Sequence, residues 1–227
     1  MGSMDKISAE GMGMCRINVG CGQTPVAMWR NYDNSLCVWI AKSPFLAFWI
    51  RKLRLLNKFQ EEFLSFAMAN KIEYANAAKH IPEADHSVEV LYSSHMLEHL
   101  DRKGVDAFLM EARRVLRHGA ILRVVVPDLN KKVCEYIATG DSNKFVESLL
   151  LASDKPKTFF EKIKFLVVGP RNHRWMYDGK ALCNILVSAG FDNPKVLKPG
   201  ETNISNPGRL DLFERVSESV YVEAQNP

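Results

Sequence analysis

Two short stretches hold the residues best suited to proton transfer, YSSHMLEHL (92–100) and RNHRWMYD (171–178). Imidazole titrates near neutrality, so His95, His99 and His173 are candidates for a general base that takes a proton from an alcohol. His95 follows directly on a strand end and His173 sits in a loop able to reach the same place. For His95 the alternative is a hydrogen bond at a helix entry. For His99, one helical turn on, a packing role fits better. HMLEH also has the spacing H-x-x-E-H, which on a helix sets His95 and His99 on one face, as a divalent metal would need. Glu98 and one histidine are already explained by an ordinary helix start, and no further ligand cluster stands out, so no metal is expected. A third stretch, INVGCG (17–22), ends an apolar strand in a bend where Gly20 and Gly22 allow a backbone to approach a ligand closely. An ordinary strand-end turn is the alternative there. The third glycine of a dinucleotide fingerprint is missing, because Gln23, Thr24 and Pro25 follow. Asp33 comes next, at about half the roughly 20-residue interval of dinucleotide folds. It can accept hydrogen bonds from both hydroxyls of a ribose, so a ligand with a ribose and no phosphates fits this spacing best.

These residues need elements to position them. IEYAN and VEVLYSS (88–94) read as strands, the latter rich in β-branched and aromatic residues. Val105, Phe108, Leu109, Ala112, Val115 and Leu116 recur at helical spacing, with Gly119 as the expected stop. AILRVVVPDL reads as a buried central strand ending at Pro127. A second helix carries Leu182, Ile185, Leu186 and Ala189 on one face, capped by Asp178 and stopped by Gly190. One helical stretch is expected from about Phe45 to Met68. PKVLKP and SVYVEAQ read as final strands. Strands alternating with helices predict an α/β fold with a mostly parallel sheet covered on both faces, and ligands of such sheets sit at the carboxyl ends of the strands. That brings GCG, Asp33, Asn76 and SSH to one edge.

Composition bounds the rest. The 227 residues suffice for one domain over 15–227, with residues 1–14 read as a leader outside the fold. A net charge of +4, with Lys and Arg scattered among acids, implies no nucleic acid. Five widely spaced cysteines (Cys15, Cys21, Cys37, Cys134, Cys183) with no C-x-x-C pair point to a reducing compartment, the cytoplasm, and against structural zinc. LCVWIAKSPFLAFWIRKLRLL (36–56) is interrupted by Lys42 and Pro44 before it reaches bilayer length. Its aromatic residues followed by Arg51, Lys52 and Arg54 suit a membrane surface or a lipid-linked substrate, and equally an amphipathic insertion packed over the core.

The run INVGCG, WRNYD, IEYANAAKHIP, DHSVEVLYSSHMLEHL, EARRVLRHGAILRVVVPDL, HRWMYD, AGF and ESVYVEA resembles the class I methyltransferases that use S-adenosylmethionine. Within them it is similar to the type-11-like group of bacterial glycan and small-molecule methyltransferases. The resemblance covers most of residues 15–225. It implies a Rossmann-like sheet with an antiparallel C-terminal strand and helical lid insertions at about 36–70 and 141–174. It also implies S-adenosylmethionine as cofactor and S-adenosylhomocysteine as product. Gly20, Cys21 and Gly22 would face the methionine part, and Asp33 would bind the ribose. Asn76 stands where the family has an aspartate for the adenine amino group, and its carboxamide oxygen can still accept that bond. Ala77 would offer its backbone N–H to the adenine ring, with Ser93 and Ser94 beside the sulfonium.

Methyl transfer to a hydroxyl of a sugar, glycan precursor or small metabolite then requires alignment and a base, for which His95 and His173 are the candidates. Arg174 and Tyr177 either line the acceptor pocket or serve packing. Two other classes compete with this reading. An NAD-dependent oxidoreductase is disfavoured by the glycine count and the early Asp33. A non-catalytic scaffold that retained the fold finds support only in Asn76.

Overall fold

The computed structural model describes residues 15–151 and 172–227. The expected leader, 1–14, and most of the second expected insertion lie outside the described residues. Seven strands form one sheet in the order β3-β2-β1-β4-β5-β7-β6. They are β1 (Cys15–Val19), β2 (Arg30–Asp33), β3 (Glu73–Tyr74), β4 (Val88–Ser94), β5 (Leu116–Pro127), β6 (Asp192–Leu197) and β7 (Ser219–Gln225). The first five in spatial order pair in parallel, and only β7 runs against its neighbours β5 and β6. This is the Rossmann-like arrangement of the class I methyltransferases, with the antiparallel C-terminal strand that the resemblance implied.

Alternation along the strands divides the core in two. Ile17, Val19, Leu91, Leu122, Val124 and Val222 point to one face, where α4 (Arg102–Val115) and α7 (Gly179–Ser188) cover them. α4 buries Val105, Phe108, Leu109, Ala112 and Val115, the spacing read from the sequence. Each large side chain so buried stabilises the layer by about 1.5–3 kcal/mol. On the other face Val90, Tyr92, Val125 and Tyr221 pack against Val26, Ile204 and Leu210, which come from loops. A third cluster, formed by α1 (Leu36–Ala41), α2 (Pro44–Lys52) and α3 (Lys58–Ala69), includes Cys21 from the glycine bend.

Three expectations about elements need correction. The stretch from Phe45 to Met68 is two helices, because Arg54 takes a left-handed backbone (φ +52°) and Asn57 opens α3 with a capping box shared with Gln60. Gly119 does not stop α4, which ends at Val115 as Leu116 turns extended. Its positive φ instead serves the irregular start of β5, where its N–H donates to Asn226 O at 2.8 Å. The helix α5 (Leu129–Thr139) was not read from the sequence, and α6 (Ser142–Ser148) opens the helical insertion expected at about 141–174; neither buries a residue fully.

Candidate functional site

No helix joins β1 to β2. The connection is held instead by Asn31, whose Oδ1 accepts from Val26 N at 2.8 Å and whose Nδ2 donates to Val26 O and Trp29 O. Asn18 adds Nδ2 donations to Thr24 O and Asn31 Oδ1. These buried amides explain the short interval before Asp33. They also leave the glycine bend without a following helix N-terminus, the usual seat of a pyrophosphate.

Gly20 and Gly22 both have positive φ, for different reasons. A Cβ on Gly20 would strike the Met96 side chain at 2.8 Å, so this glycine is required by packing inside the protein. A Cβ on Gly22 meets nothing within 4 Å, so open space lies beside it. Gly22 N donates to Asp33 Oδ2 at 2.9 Å, and Ser35 N donates to Oδ1 at 2.8 Å. Each oxygen keeps a lone pair, so the carboxylate is oriented and still able to accept from a ribose diol. Burial raises the Asp33 carboxyl above its ordinary value, opposed by the Ser35 and Gly22 amides. Cys21 stands apart from its flanking glycines. Its thiol is buried among the helices of the third cluster, its N–H donates to Tyr32 O, and its carbonyl accepts from Thr24. It shapes the bend from behind.

Farther along the edge, Asn76 Oδ1 accepts from Ala78 N at 3.1 Å and its carbonyl accepts from Lys79 and His80. The carboxamide oxygen is thus already engaged locally, with one lone pair remaining. Ala77 is buried beside it. Ser93, at the end of β4, is fully buried and its hydroxyl has no hydrogen-bond partner; Ser94 follows, half-buried. Gly22 and Asp33 thus offer what an adenosyl ligand needs, open space beside an oriented acceptor, while the unpaired Ser93 hydroxyl is enclosed at the end of β4.

The histidines converge on Glu98. Residues Leu97–His99 form one 3-10 turn, and His95 precedes it with φ +50°, so the expected single helix face for His95 and His99 does not exist. The left-handed bend, fixed by His95 N donating to Val125 O, sends the two rings to Glu98 from different sides. His95 Nδ1 lies 3.3 Å and His99 Nε2 3.9 Å from Glu98 Oε1. Glu98 is 1% exposed, and neither of its oxygens has a hydrogen-bond donor. His95 Nε2 is 2.9 Å from Ser219 Oγ, and His99 Nδ1 is 3.2 Å from Asn172 O.

His173 reaches the same place because the loop before α7 crosses the sheet edge. Arg174 N donates to Glu98 O at 2.6 Å, Tyr177 bridges Asp128 beyond β5, and Asp178 caps α7 as expected, accepting from Ala181 N. The His173 ring stands edge-on to His99 at 5.2 Å and is almost fully buried. Burial pulls its imidazole below the ordinary histidine range, Glu98 opposes this, and His99 adds to it. Neutral imidazole with an accessible lone pair is the form a base or a ligand needs. Tyr177 is buried in the core, whereas Arg174 is exposed beside Asp101.

His95 and His173 each lie beside Glu98. The structure adds Glu98 as their common neighbour and Ser219 as the partner of His95. Glu98 was visible in H-x-x-E-H but was read as a helix start. Ser219 lies 124 residues from His95 and left no local mark.

Residues 51–124 match the family model for a methyltransferase domain, type 11. Among solved structures the chain is similar to a SAM-dependent methyltransferase of Thermotoga maritima, described as a possible histamine N-methyltransferase, at 15% identity and TM-score 0.49 over 94% of this chain and 82% of that one. It is also similar to SAM-dependent methyltransferases of Methanosarcina mazei (15% identity, TM-score 0.49, 92% and 91% covered) and Mesorhizobium loti (17% identity, TM-score 0.48, 94% and 91% covered). No curated protein matches the chain.

Proposed function

We propose that this chain, which belongs by its match over residues 51–124 and its strand order with the class I S-adenosylmethionine-dependent methyltransferases, methylates a hydroxyl of a sugar, a glycan precursor or a small metabolite. The observation that carries the hydroxyl reading is the buried carboxylate of Glu98 ringed by His95, His99 and His173 at the carboxyl edge of the sheet. A hydroxyl must lose a proton as it is methylated, and this cluster supplies the groups for that.

Bound S-adenosylmethionine supplies a methyl carbon activated by its sulfonium. Gly22 leaves room for it, Asp33 accepts from the ribose, and Ala77 donates its N–H toward the adenine while Asn76 accepts with its remaining lone pair. Gly20 with Met96, and Cys21 from behind, hold the bend in shape; Ser93 and Ser94, at the end of β4, would lie beside the sulfur. On the acceptor side, His173 contributes a neutral lone pair, kept neutral by burial. His95 is a positioning residue on the acceptor side: its Nε2 is anchored on Ser219 Oγ and its Nδ1 faces Glu98 Oε1 at 3.3 Å. The protein's main contribution is alignment and exclusion of water, as expected for displacement on an already reactive donor.

The surface of α2 suits a lipid-linked acceptor or a membrane surface. Phe45, Phe48 and Trp49 are exposed on one helical face, with Lys52 Nζ 5.1 Å over the Trp49 ring. No helix among the described residues is long and apolar enough to cross a membrane, and Cys15, Cys21, Cys134 and Cys183 are thiols outside any disulfide, as a reducing cytoplasm would keep them. The test is a panel of sugars, lipid-linked sugars and small alcohols incubated with donor labelled at the methyl carbon and followed by mass spectrometry. Label on an acceptor oxygen is the expected result. Label on nitrogen or carbon alone would reject the hydroxyl reading.

A further inference from the structure

We infer that Glu98, His99 and His173 form a binding site for one first-row divalent transition-metal cation, with zinc as the reference ion. One ligand atom from each residue can be chosen so that all three lie within 4.8 Å of one another. Two of the three side chains are withdrawn from water without receiving what burial demands. Glu98 is 1% exposed with both oxygens lacking a donor, and His173 is 8% exposed with an unpartnered Nδ1. Such groups are costly unless something absent from the protein's own atoms satisfies them. A cation does so for all three at once. Hydrogen bonding to solvent does so for at most the outer one, His99, which is 39% exposed on its side chain.

The surroundings have the organisation of a metal site. A ligating imidazole usually donates its second N–H to a carbonyl or carboxylate, which fixes the tautomer and frees the other nitrogen. His99 does this, with Nδ1 on Asn172 O at 3.2 Å and Nε2 turned to Glu98. His173 is tied down through its backbone, its N–H donating to Leu150 O at 3.0 Å. His95 completes the outer layer: it approaches Glu98 Oε1 at 3.3 Å and is itself anchored on Ser219. Two imidazoles and one carboxylate are a donor set for zinc and its neighbours, whereas magnesium and calcium prefer oxygen alone. Zinc holds such ligands at about 2.0–2.2 Å, so the side chains would draw inward on binding. Three protein ligands leave a position open, the mark of a catalytic site. That the open position receives the acceptor's oxygen rests on the reading proposed above; the existence of the site does not.

The test uses the full chain, stripped with a chelator and titrated with zinc chloride by calorimetry and with cobalt chloride by visible absorption. One equivalent of zinc and the intense visible bands of a low-coordinate cobalt site are expected. His99→Ala, chosen because the side chain is exposed and checked for folding by a thermal melt, should weaken binding more than about 100-fold, beyond what loss of an outer-layer partner costs. His95→Ala should weaken it roughly 10- to 100-fold. His118→Ala, at an exposed position near the start of β5, should change nothing. Glu98→Gln, with a thermal melt to establish folding, should abolish the cobalt bands. Failure of wild-type protein to bind zinc, or equal binding by wild type and His99→Ala, overturns the site. Affinity for S-adenosylmethionine is measured on the same stripped protein. Its absence would count against the methyltransferase reading and leave the zinc titration to decide the cation site independently.

Discussion

Glu98 and Glu223 are buried to nearly the same extent and are treated in opposite ways. Glu223, in β7, is 2% exposed and satisfied throughout: Oε1 accepts from Arg123 Nη1 and Thr202 Oγ1, both at 2.6 Å, and Oε2 accepts from Asn203 N and Nδ2. Arg123 also donates to Glu201 O, so the pair ties the 201–203 loop to the middle of the sheet. Glu98, 1% exposed, has no donor, only imidazole nitrogens at 3.3 and 3.9 Å. The first carboxylate is consumed by structure. The second is held in reserve, and burial without satisfaction at a sheet edge marks a group kept for a ligand or a reaction.

The largest effect should come from breaking the satisfied side. Arg123→Met leaves Glu223 charged and buried, and should destabilise the protein by about 3–5 kcal/mol in urea titrations. Glu98→Gln should change stability by less than about 1 kcal/mol, because it removes no hydrogen bond. If the two variants lost equal stability, the contrast would fail. Next, His173→Ala and His95→Ala should each lower turnover at least about tenfold while calorimetric affinity for S-adenosylmethionine stays near that of wild type. Normal turnover in both would remove Glu98's neighbours from the chemistry.

A third carboxylate sharpens the contrast through pH. Hydrogen bonding to Arg114 holds Glu111 at about 2, below its ordinary 4.5. A depressed carboxylate contributes stability that is complete above the unfolded value and is lost as pH falls from about 4.5 toward 2. Urea midpoints should therefore drop across that window, and Glu111→Gln should flatten the drop. The smallest effect belongs to the outward face of α2: Phe48→Ser and Trp49→Ser should shift stability by no more than about 0.5 kcal/mol, yet reduce sedimentation with anionic vesicles.

Much of the frame was legible because local pattern and tertiary role coincide. VEVLYSS is β4 to the residue, the Val105–Val115 spacing is the buried stripe of α4, and Asp178 caps α7. Asp33 was found because β1 and β2 bring the bend at Gly22 to it in parallel register. What escaped depends on conformations or partners that spacing does not encode. Arg54 splits a continuous apolar pattern by adopting a left-handed backbone, and α5 was passed over because it buries nothing fully. Cys21 was grouped with its glycines, yet the chain's reversal there sends its thiol behind the bend. The link from His95 to Ser219 exists only because β7 runs backward, bringing its first residue to the edge where the other strands finish.

That reversed strand has a temporal consequence. β7 lies between β5 and β6, so β6 cannot join the sheet until later chain has threaded into the gap, and the anchor for His95 arrives with it. Until Ser219 is made, the His95 ring lacks the hydroxyl that anchors its Nε2. Completion of this side of the sheet is thereby coupled to the arrival of β7.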